Sequence, residues 1–318
     1  MLEQIEMNQT VALEHTGLRL DQAAALLFPE FSRARLQDWI REGQLTLNGE
    51  RARAKDRVLE GDGLILLAEL EAETHFEPES MSLCIVHEDE DVIIVNKPVG
   101  LVVHPAAGNY RGTLLNGLLA HCPDLQALPR AGIVHRLDKD TSGLLVVAKT
   151  LQAHQDLVEQ LQERRVSRHY EAVVQGVATA GGTVDAAIGR HPVQRQKRAV
   201  TDAADARPAV THYRVRQRFR SHSHLSVQLE TGRTHQIRVH MAHVGMPIVG
   251  DQVYGGRWKP PRGAAPALLD FLQHFKRQAL HAAVLGFHHA TTGEYRQWEA
   301  PLPADMQELL QLLGQDDA

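Results

Sequence analysis

An α+β fold in two parts is what this chain predicts, on three observations. Apolar runs of strand length recur beyond residue 83, and helical stretches interrupt them irregularly, without the strict alternation of a doubly wound sheet. Ahead of them, residues 13–72 read as a separate small module, two short helices followed by strand and turn signals. Residues 73–82, acidic and containing Pro78, read as a linker between the two. At 318 residues the chain is long enough to bury a sizeable core.

Residues 1–12 show no pattern and are expected to be mobile. In the module that follows, Leu20, Ala23, Ala24 and Leu27 keep helical spacing, and Pro29 lies just past them. Ser32 is placed to cap a second helix that buries Leu36, Trp39 and Ile40 and stops at Gly43. Leu45-Thr46-Leu47 reads as a strand entering an Asn48-Gly49 turn, a pair favoured in tight hairpins because both residues tolerate positive φ. Residues 58–66 supply a further turn and strand.

In the larger part, residues 91–95 read as a strand and 113–120 as a short helix. Gly132-Ile133-Val134 and Leu144-Leu145-Val146-Val147-Ala148 look like covered strands bounded by glycines. Between them stand His135, Arg136, Leu137, Asp138, Lys139, Asp140, Thr141, Ser142 and Gly143. A charged loop held this way can fix a carboxylate and a guanidinium in a partly dry site, and in extended backbone Arg136 and Asp138 share one side. On the residues alone, a solvated turn with an incidental ion pair explains the loop equally well. Residues 151–165 follow as a helix with Leu151, His154, Leu157, Val158 and Leu161 on one face, then residues 170–174 as a strand. Thr234 is expected to cap a helix carrying Ile237, Met241 and Val244, which Gly245 and Pro247 close. Arg238 then lies near the positive end of that helix, where a cation is mildly disfavoured, so either a nearby carboxylate or exposure to solvent is expected to offset it. Residues 299–313 read as a final helix with Met306, Leu309, Leu310 and Leu313 inward.

The net charge of −5 is unevenly distributed. Residues 69–91 hold nine acids and no Lys or Arg, so the remainder sums to +4. Residues 190–220 hold nine basic residues, among them Arg190, Arg195, Arg218 and Arg220, against only Asp202 and Asp205. Capture of a polyanion depends on such local fields and not on the total. Two cysteines, Cys84 and Cys122, suit a reducing compartment. Without a signal-like start or a membrane-length apolar run, the chain is expected to be cytoplasmic and free of membrane partners.

His135-Arg136-Leu137-Asp138 followed by Thr141-Ser142-Gly143 resembles the catalytic motif of the RluA family of pseudouridine synthases. The likeness runs on through residues 83–300. Lys97-Pro98-Val99-Gly100-Leu101-Val102-Val103-His104-Pro105 resembles the upstream loop, Arg168-His169-Tyr170-Glu171-Ala172 the tyrosine strand, and Thr231 through Met241, with Arg238, the arginine motif. Gly250-Asp251-Gln252-Val253-Tyr254-Gly255-Gly256 and Leu280-His281-Ala282 follow in the expected order. Arg19-Leu20-Asp21, Ser32-Arg33 and Asn48-Gly49 resemble an S4 domain.

The resemblance implies a mixed, largely antiparallel sheet with a central cleft in residues 83–318, and an S4 RNA-binding domain in residues 13–72. It makes Asp138 the attacking carboxylate on a uridine in RNA, Arg238 its partner, and Tyr170 the ring that stacks on the flipped base. It assigns Arg136 to the space the base vacates or to a flanking phosphate. Arg33, Arg35, Arg41, Arg51, Arg53, Lys55 and Arg57 would give the S4 domain a phosphate-facing surface. Isomerising uridine breaks N1–C1′ and makes C5–C1′, which a carboxylate can assist as in glycoside hydrolysis and which calls for no redox partner, donor or metal. No cofactor is therefore expected. The histidine pairs His240/His243 and His288/His289 lack metal-site spacing, and no metal is expected. Within the family, Asp138 through Gly143, Gly250 through Arg257 and the chain's length most resemble members that modify a hairpin loop of bacterial 23S ribosomal RNA. RNA, possibly inside an assembling large subunit, is the expected partner, and DNA is not. Synthases for other ribosomal or transfer RNA uridines, a non-catalytic RNA-binding or ribosome-assembly factor, and a nucleoside or glycoside hydrolase using Asp138 are the rival readings.

Overall fold

The computed structural model describes residues 3–29, 31, 33–70, 76–105, 109–194, 197–257 and 259–317. The chain divides into two compact units, Met1–His75 and Phe76–Ala318. Ser32 and Arg195, singled out from the sequence, lie outside the described residues, as do residues 73–75 of the expected linker.

The first unit runs β1 (Glu3–Thr10), α1 (Leu20–Leu27), α2 (Arg33–Glu42), β2 (Leu45–Leu47) and β3 (Gly63–Leu70). β3 is the middle strand of an antiparallel sheet, with β1 and β2 on its two edges. The opening residues, expected to be mobile, are thus a strand from Glu3 onward. Ile5 and Met7 pack on the core while Glu6 and Asn8 face out, a period-2 signal too short to stand out without its partner. Leu20, Leu36, Trp39, Ile40, Leu64 and Leu66 form that core. Asn48 (φ 54°) and Gly49 (φ 78°) make the two-residue turn, across which Leu47 and Glu50 exchange two backbone hydrogen bonds of 3.0 Å. Asp21, fully buried, ties α1 to α2 by accepting from Arg19 (2.9 Å) and Arg33 (2.7 Å). Burial alone would raise its pKa, but the hydrogen bonds from Arg19, Arg33 and Gln37 outweigh it and hold the carboxyl at about 2.

The second unit contains β4 (Ile85–Glu88), β5 (Val92–Lys97), α3 (Leu114–His121), β6 (Ser142–Ala148), α4 (Leu151–Gln162), β7 (Ser167–Gln175), β8 (Gly182–Asp185), β9 (Ile188–Arg190) and β10 (Arg198–Val200). It continues with β11 (Val210–Arg218), β12 (His222–Leu229), α5 (Gln236–His243), α6 (Pro266–His274), β13 (Leu280–His288), β14 (Tyr295–Glu299) and α7 (Ala304–Asp317). One sheet runs β4-β5-β6-β13-β7-β12-β11-β8, with β14 also paired to β13; β9 and β10 form a separate hairpin. Among the described residues only β6 and β13 pair in parallel, so the sheet is mixed and largely antiparallel as expected.

Both faces of the sheet's first half are covered. Ile93, Val95, Leu145 and Val147 face the main core, while Val92, Ile94, Leu144 and Val146 face a second cluster under α4 and Phe287. That is why β5 and β6 read as unbroken apolar runs. β13 forks on one edge: His281 and Ala282 pair with β6, and Val284 through His288 pair with β14. The loop before β6 enters the sheet at this fork.

Several elements differ from expectation. Gly132-Ile133-Val134 is no strand: residues 129–132 form a tight 3-10 turn with Arg130 and Ala131 at φ 52°, and only Ile133 bridges to Val147. On α4, Leu151 is exposed and the inward places go to Ala153 and Gln160. Gln160 donates to His288 O (2.7 Å) and accepts from His288 N (3.0 Å), copying a strand's hydrogen bonds with its amide. Residues 299–303 are not helical, because β14 occupies the stretch to Glu299 and Pro301 and Pro303 delay α7 to Ala304. Residues 76–82, read as linker, belong to the second unit: Asn116 donates to Glu77 O (2.8 Å), and Glu79 N donates to Asn116 O (3.0 Å).

Gly143 (φ 115°) fits because a Cβ there would stand 2.3 Å from Ala282 O. Gly143→Ala combines backbone strain with overpacking at the fork and is expected to cost at least about 2 kcal/mol, measured by urea unfolding of the full chain.

Candidate active site

A pocket of about 840 Å³ opens in the second unit, lined by the Asp138 loop, β7, the end of β12 and the start of α5. Arg136, Asp138, Tyr170 and Arg238 all border it, so the structure brings together the four residues that the sequence had scattered.

The Asp138 loop has no regular structure and is held from beneath. Lys97, wholly buried, points its ammonium at three carbonyls: Pro98 (2.9 Å), Leu101 (2.9 Å) and Lys139 (3.0 Å). Burial lowers its pKa to about 8 against the pull of Asp140 and Asp138. His135 Nε2 accepts from Val146 N (3.2 Å), a role open only to the neutral ring, and burial followed by repulsion from Arg168 keeps its pKa at about 3. Thr141 N closes a turn onto Asp138 O (3.1 Å), and Thr141 Oγ1 accepts from Gln278 (2.9 Å). Each bond fixes the backbone that carries Asp138.

Arg238, on the first turn of α5, donates from Nη1 to Asp138 Oδ2 (2.8 Å). Its Nε and Nη2 grip both oxygens of Asp251 (2.7 and 3.0 Å), and its guanidinium lies 5.1 Å from the Tyr254 ring centre. What offsets Arg238 is therefore two carboxylates. Burial opposes the cation, but Asp251 and then Asp138 more than compensate and raise its pKa. Asp251 is held low in turn: burial would raise it, and Arg238 together with the Val253 and Tyr254 amides pulls it down.

The two carboxylates differ in what they have left to give. Asp251 has no exposure, and Val253 N (2.8 Å) and Tyr254 N (2.9 Å) add to the load on its Oδ1. Asp138 keeps 18% of its side chain exposed. Its Oδ1 has only His235 Nε2 nearby among the described residues, at 3.7 Å. One carboxylate is fully committed to structure; the other is aimed and keeps an oxygen for chemistry.

Thr234 does not cap α5. His235 takes that position in the left-handed region (φ 59°), makes no side-chain cap, and sets its Nδ1 2.8 Å from Tyr254 Oη. Burial pushes its pKa down against the attraction of Asp138. Tyr170, on β7, is 7% exposed, and burial pushes its phenol up. Asp251, Lys97, His235 and Tyr254 lie within motifs quoted from the sequence but were given no role there. A buried aspartate followed by two turn amides signals an Asx turn, but its second partner is 13 residues away and needs the fold.

In the first unit, Arg51, Arg53, Lys55 and Arg57 are exposed and alternate with the partly buried Ala52, Ala54 and Asp56, forming one basic stripe. Arg33 is committed to Asp21, and Arg35 stacks over Trp39 at 5.6 Å. Among the described residues no group of His, Cys, Asp and Glu could hold a metal, and no helix is long and apolar enough to cross a membrane.

A sequence profile of RNA pseudouridylate synthases matches residues 91–243, and one of the S4 domain matches residues 18–64. The protein called ribosomal large subunit pseudouridine synthase D in Pseudomonas aeruginosa is 58% identical over 316 residues, covering 99% of this chain and 98% of that one. The chain belongs to the RNA pseudouridylate synthase family. The Escherichia coli protein of the same name is 52% identical over 317 residues, 99% of this chain and 97% of that one. Among solved structures, human RNA pseudouridylate synthase domain containing 4 superposes with TM-score 0.58 at 26% identity, over 72% of this chain and 92% of that one. The human domain containing 1 protein gives 0.54 at 26%, over 75% and 97%. This member of the family is an RNA pseudouridine synthase, an isomerase of uridine in RNA, with an S4 domain ahead of it.

Asp251→Asn strips one partner from a buried ion pair and is expected to cost about 3–5 kcal/mol, with turnover falling far more than RNA affinity. Because the folded-state pKa of Asp251 is depressed, its contribution is present above the unfolded value of about 3.9 and is lost as pH falls through the folded one. Below about pH 4 the wild type should lose stability more steeply than the variant, read from urea midpoints across that range.

Proposed function

We propose that this chain converts uridines in a hairpin loop of 23S ribosomal RNA to pseudouridine in the cytoplasm, with Asp138 attacking a uridine flipped into the pocket. The observation that carries the chemistry is the Asp138–Arg238 contact of 2.8 Å on the pocket wall, with the other Asp138 oxygen free of hydrogen bonds among the described residues and His235 3.7 Å away. The choice of RNA rests on near-full-length likeness to proteins called ribosomal large subunit pseudouridine synthase D.

A paired uridine hides its ribose and base, so it must leave the stack before a carboxylate can reach it. Exposed Arg136, on the same loop as Asp138, is suited to the gap or to a neighbouring phosphate. Tyr170 offers a ring face to the flipped base, a contact worth roughly 1–3 kcal/mol and indifferent to base identity. Arg238 keeps Asp138 oriented, and the tie to Asp251 stops the guanidinium from swinging after the substrate. The bond to N1 then breaks, the uracil turns, and C5 joins C1′ of the same ribose, releasing the Asp138 carboxylate unchanged. The S4 unit captures RNA through the Arg51, Arg53, Lys55 and Arg57 stripe, which positions the molecule without reading sequence.

Mapping pseudouridine in ribosomal RNA from cells lacking the chain tests this reading. Sites in the large subunit should disappear, return with the wild type, and stay absent with Asp138→Asn, which keeps size and RNA affinity but loses the nucleophilic charge. Rescue by Asp138→Asn would remove the carboxylate from the mechanism. Deleting residues 1–72 should weaken RNA binding and lower the log–log salt slope by roughly 0.7–0.9 per lost phosphate contact.

A further inference from the structure

The pocket holds a charge that the chemistry above does not use. Arg168 sits two residues before Tyr170 on β7, and alternation along the strand turns both inward. It is 8% exposed and borders the pocket. Its buried Nε has no hydrogen-bond partner, and its guanidinium makes no ion pair with any described residue. The other buried arginines are matched: Arg238 by Asp138 and Asp251, Arg277 by Asp305 at 2.6 Å. Neutral His135 beside it brings no negative charge. Gly232 leaves it room, since a Cβ there would stand 2.7 Å from Arg168 Nη1. A buried cation without a counter-charge is costly and persists where something else supplies the anion.

We propose that Arg168 stabilises the negative charge of the uracil while it is detached from the ribose. When C1′–N1 breaks, its electron pair leaves with the base, and the charge spreads over N1, O2 and O4. C5 then bonds to C1′, the C5 proton passes to solvent and N1 takes one back, so the change is an isomerisation with no co-reactant. Arg168 lies about 7 Å along the strand from the stacking ring, the span of one base. Phosphates, by contrast, have exposed Arg130 and Arg136 at the rim. The inference rests on the reading of Asp138 and Tyr170 as the machinery around the flipped uridine.

The test is single-turnover kinetics of the full-length chain on a transcript of the ribosomal hairpin. Wild-type conversion checks the substrate first, so failure there falls on the proposed RNA and not on Arg168. Arg168→Gln is expected to slow the step at saturating RNA by about 10²–10³-fold with Kd within about twofold, as for loss of a preorganised donor. With 5-fluorouridine at the target, which has no C5 proton to lose, both RNAs are compared on loss of the N1–C1′ bond; the fluorinated base leaves more readily as an anion, and the wild-type advantage in that step should shrink. A merely structural role would slow both RNAs alike. Arg168→Lys keeps a charge and should show a smaller loss with the same contraction, which covers the case of a Gln variant that does not fold. An equal ratio for the two bases overturns the proposal. So does an unchanged rate with weaker binding and a salt slope lowered by about 0.7–0.9, which would make Arg168 a phosphate ligand.

Discussion

Arg238 carries one positive charge against two carboxylates that reach it from opposite directions in the sequence, one 100 residues before it and one 13 after. Taking three ionised groups out of water is expensive, and the expense is offset only when nearly every donor and acceptor is used. Here three of the four carboxylate oxygens and three of the five guanidinium N–H groups are used. Asp251 engages both its oxygens, the guanidinium gives Nε, Nη1 and Nη2, and Tyr254 covers a face. The remaining oxygen belongs to Asp138, the member of the trio with solvent access. On the proposed mechanism, reactivity and stability are thereby divided between two chemically identical side chains by their environments.

The fold serves that trio by bringing three unrelated segments to one place and making each stiff. Asp138 stands on a loop clamped by Lys97, His135 and the Thr141 turn, directly before the parallel pairing of β6 with β13. Arg238 stands at the start of α5, where the macrodipole alone would disfavour it, and two carboxylates reverse the sign of that local field. Asp251 stands in a turn whose own amides it binds. Removing the parallel pair would leave the loop's exit strand attached to β5 only, and the carboxylate would lose its register against α5.

How much of this could be read beforehand followed the range of the interactions. Period and turn chemistry are local, so α1, α2, the Asn48-Gly49 turn, β5, β6, α4 and β7 were legible. Elements whose definition depends on a distant partner were not. β1 exists because β3 lies beside it, and residues 132–134 carry strand-like side chains on a turning backbone. In the site, Asp138, Tyr170 and Arg238 came from motif resemblance, and the need for a carboxylate or solvent near Arg238 came from the dipole. Asp251 escaped because a buried aspartate is unremarkable until the cation that it satisfies is known. Lys97 escaped because its three acceptors are backbone carbonyls, which every sequence has.

Charge placement separates the tasks of holding RNA and changing it. The total of −5 would repel a polyanion, yet the exposed basic residues from Arg51 to Arg57 and along β11 form stripes whose fields act within a Debye length of about 8 Å at physiological salt. Contacts made there would be solvated, so they would contribute affinity that salt can remove. The guanidiniums of Arg168 and Arg238 are buried, where salt does little and each charge acts more strongly than at the surface. Arg238 spends that strength on holding a carboxylate still, and a matched charge of this kind leaves little field for the substrate. Any charge that develops on the base must be met by a group the protein has not already neutralised. That requirement separates the paired Arg238 from the unpaired Arg168, and it makes the burial of a cation without a partner intelligible as part of the chemistry.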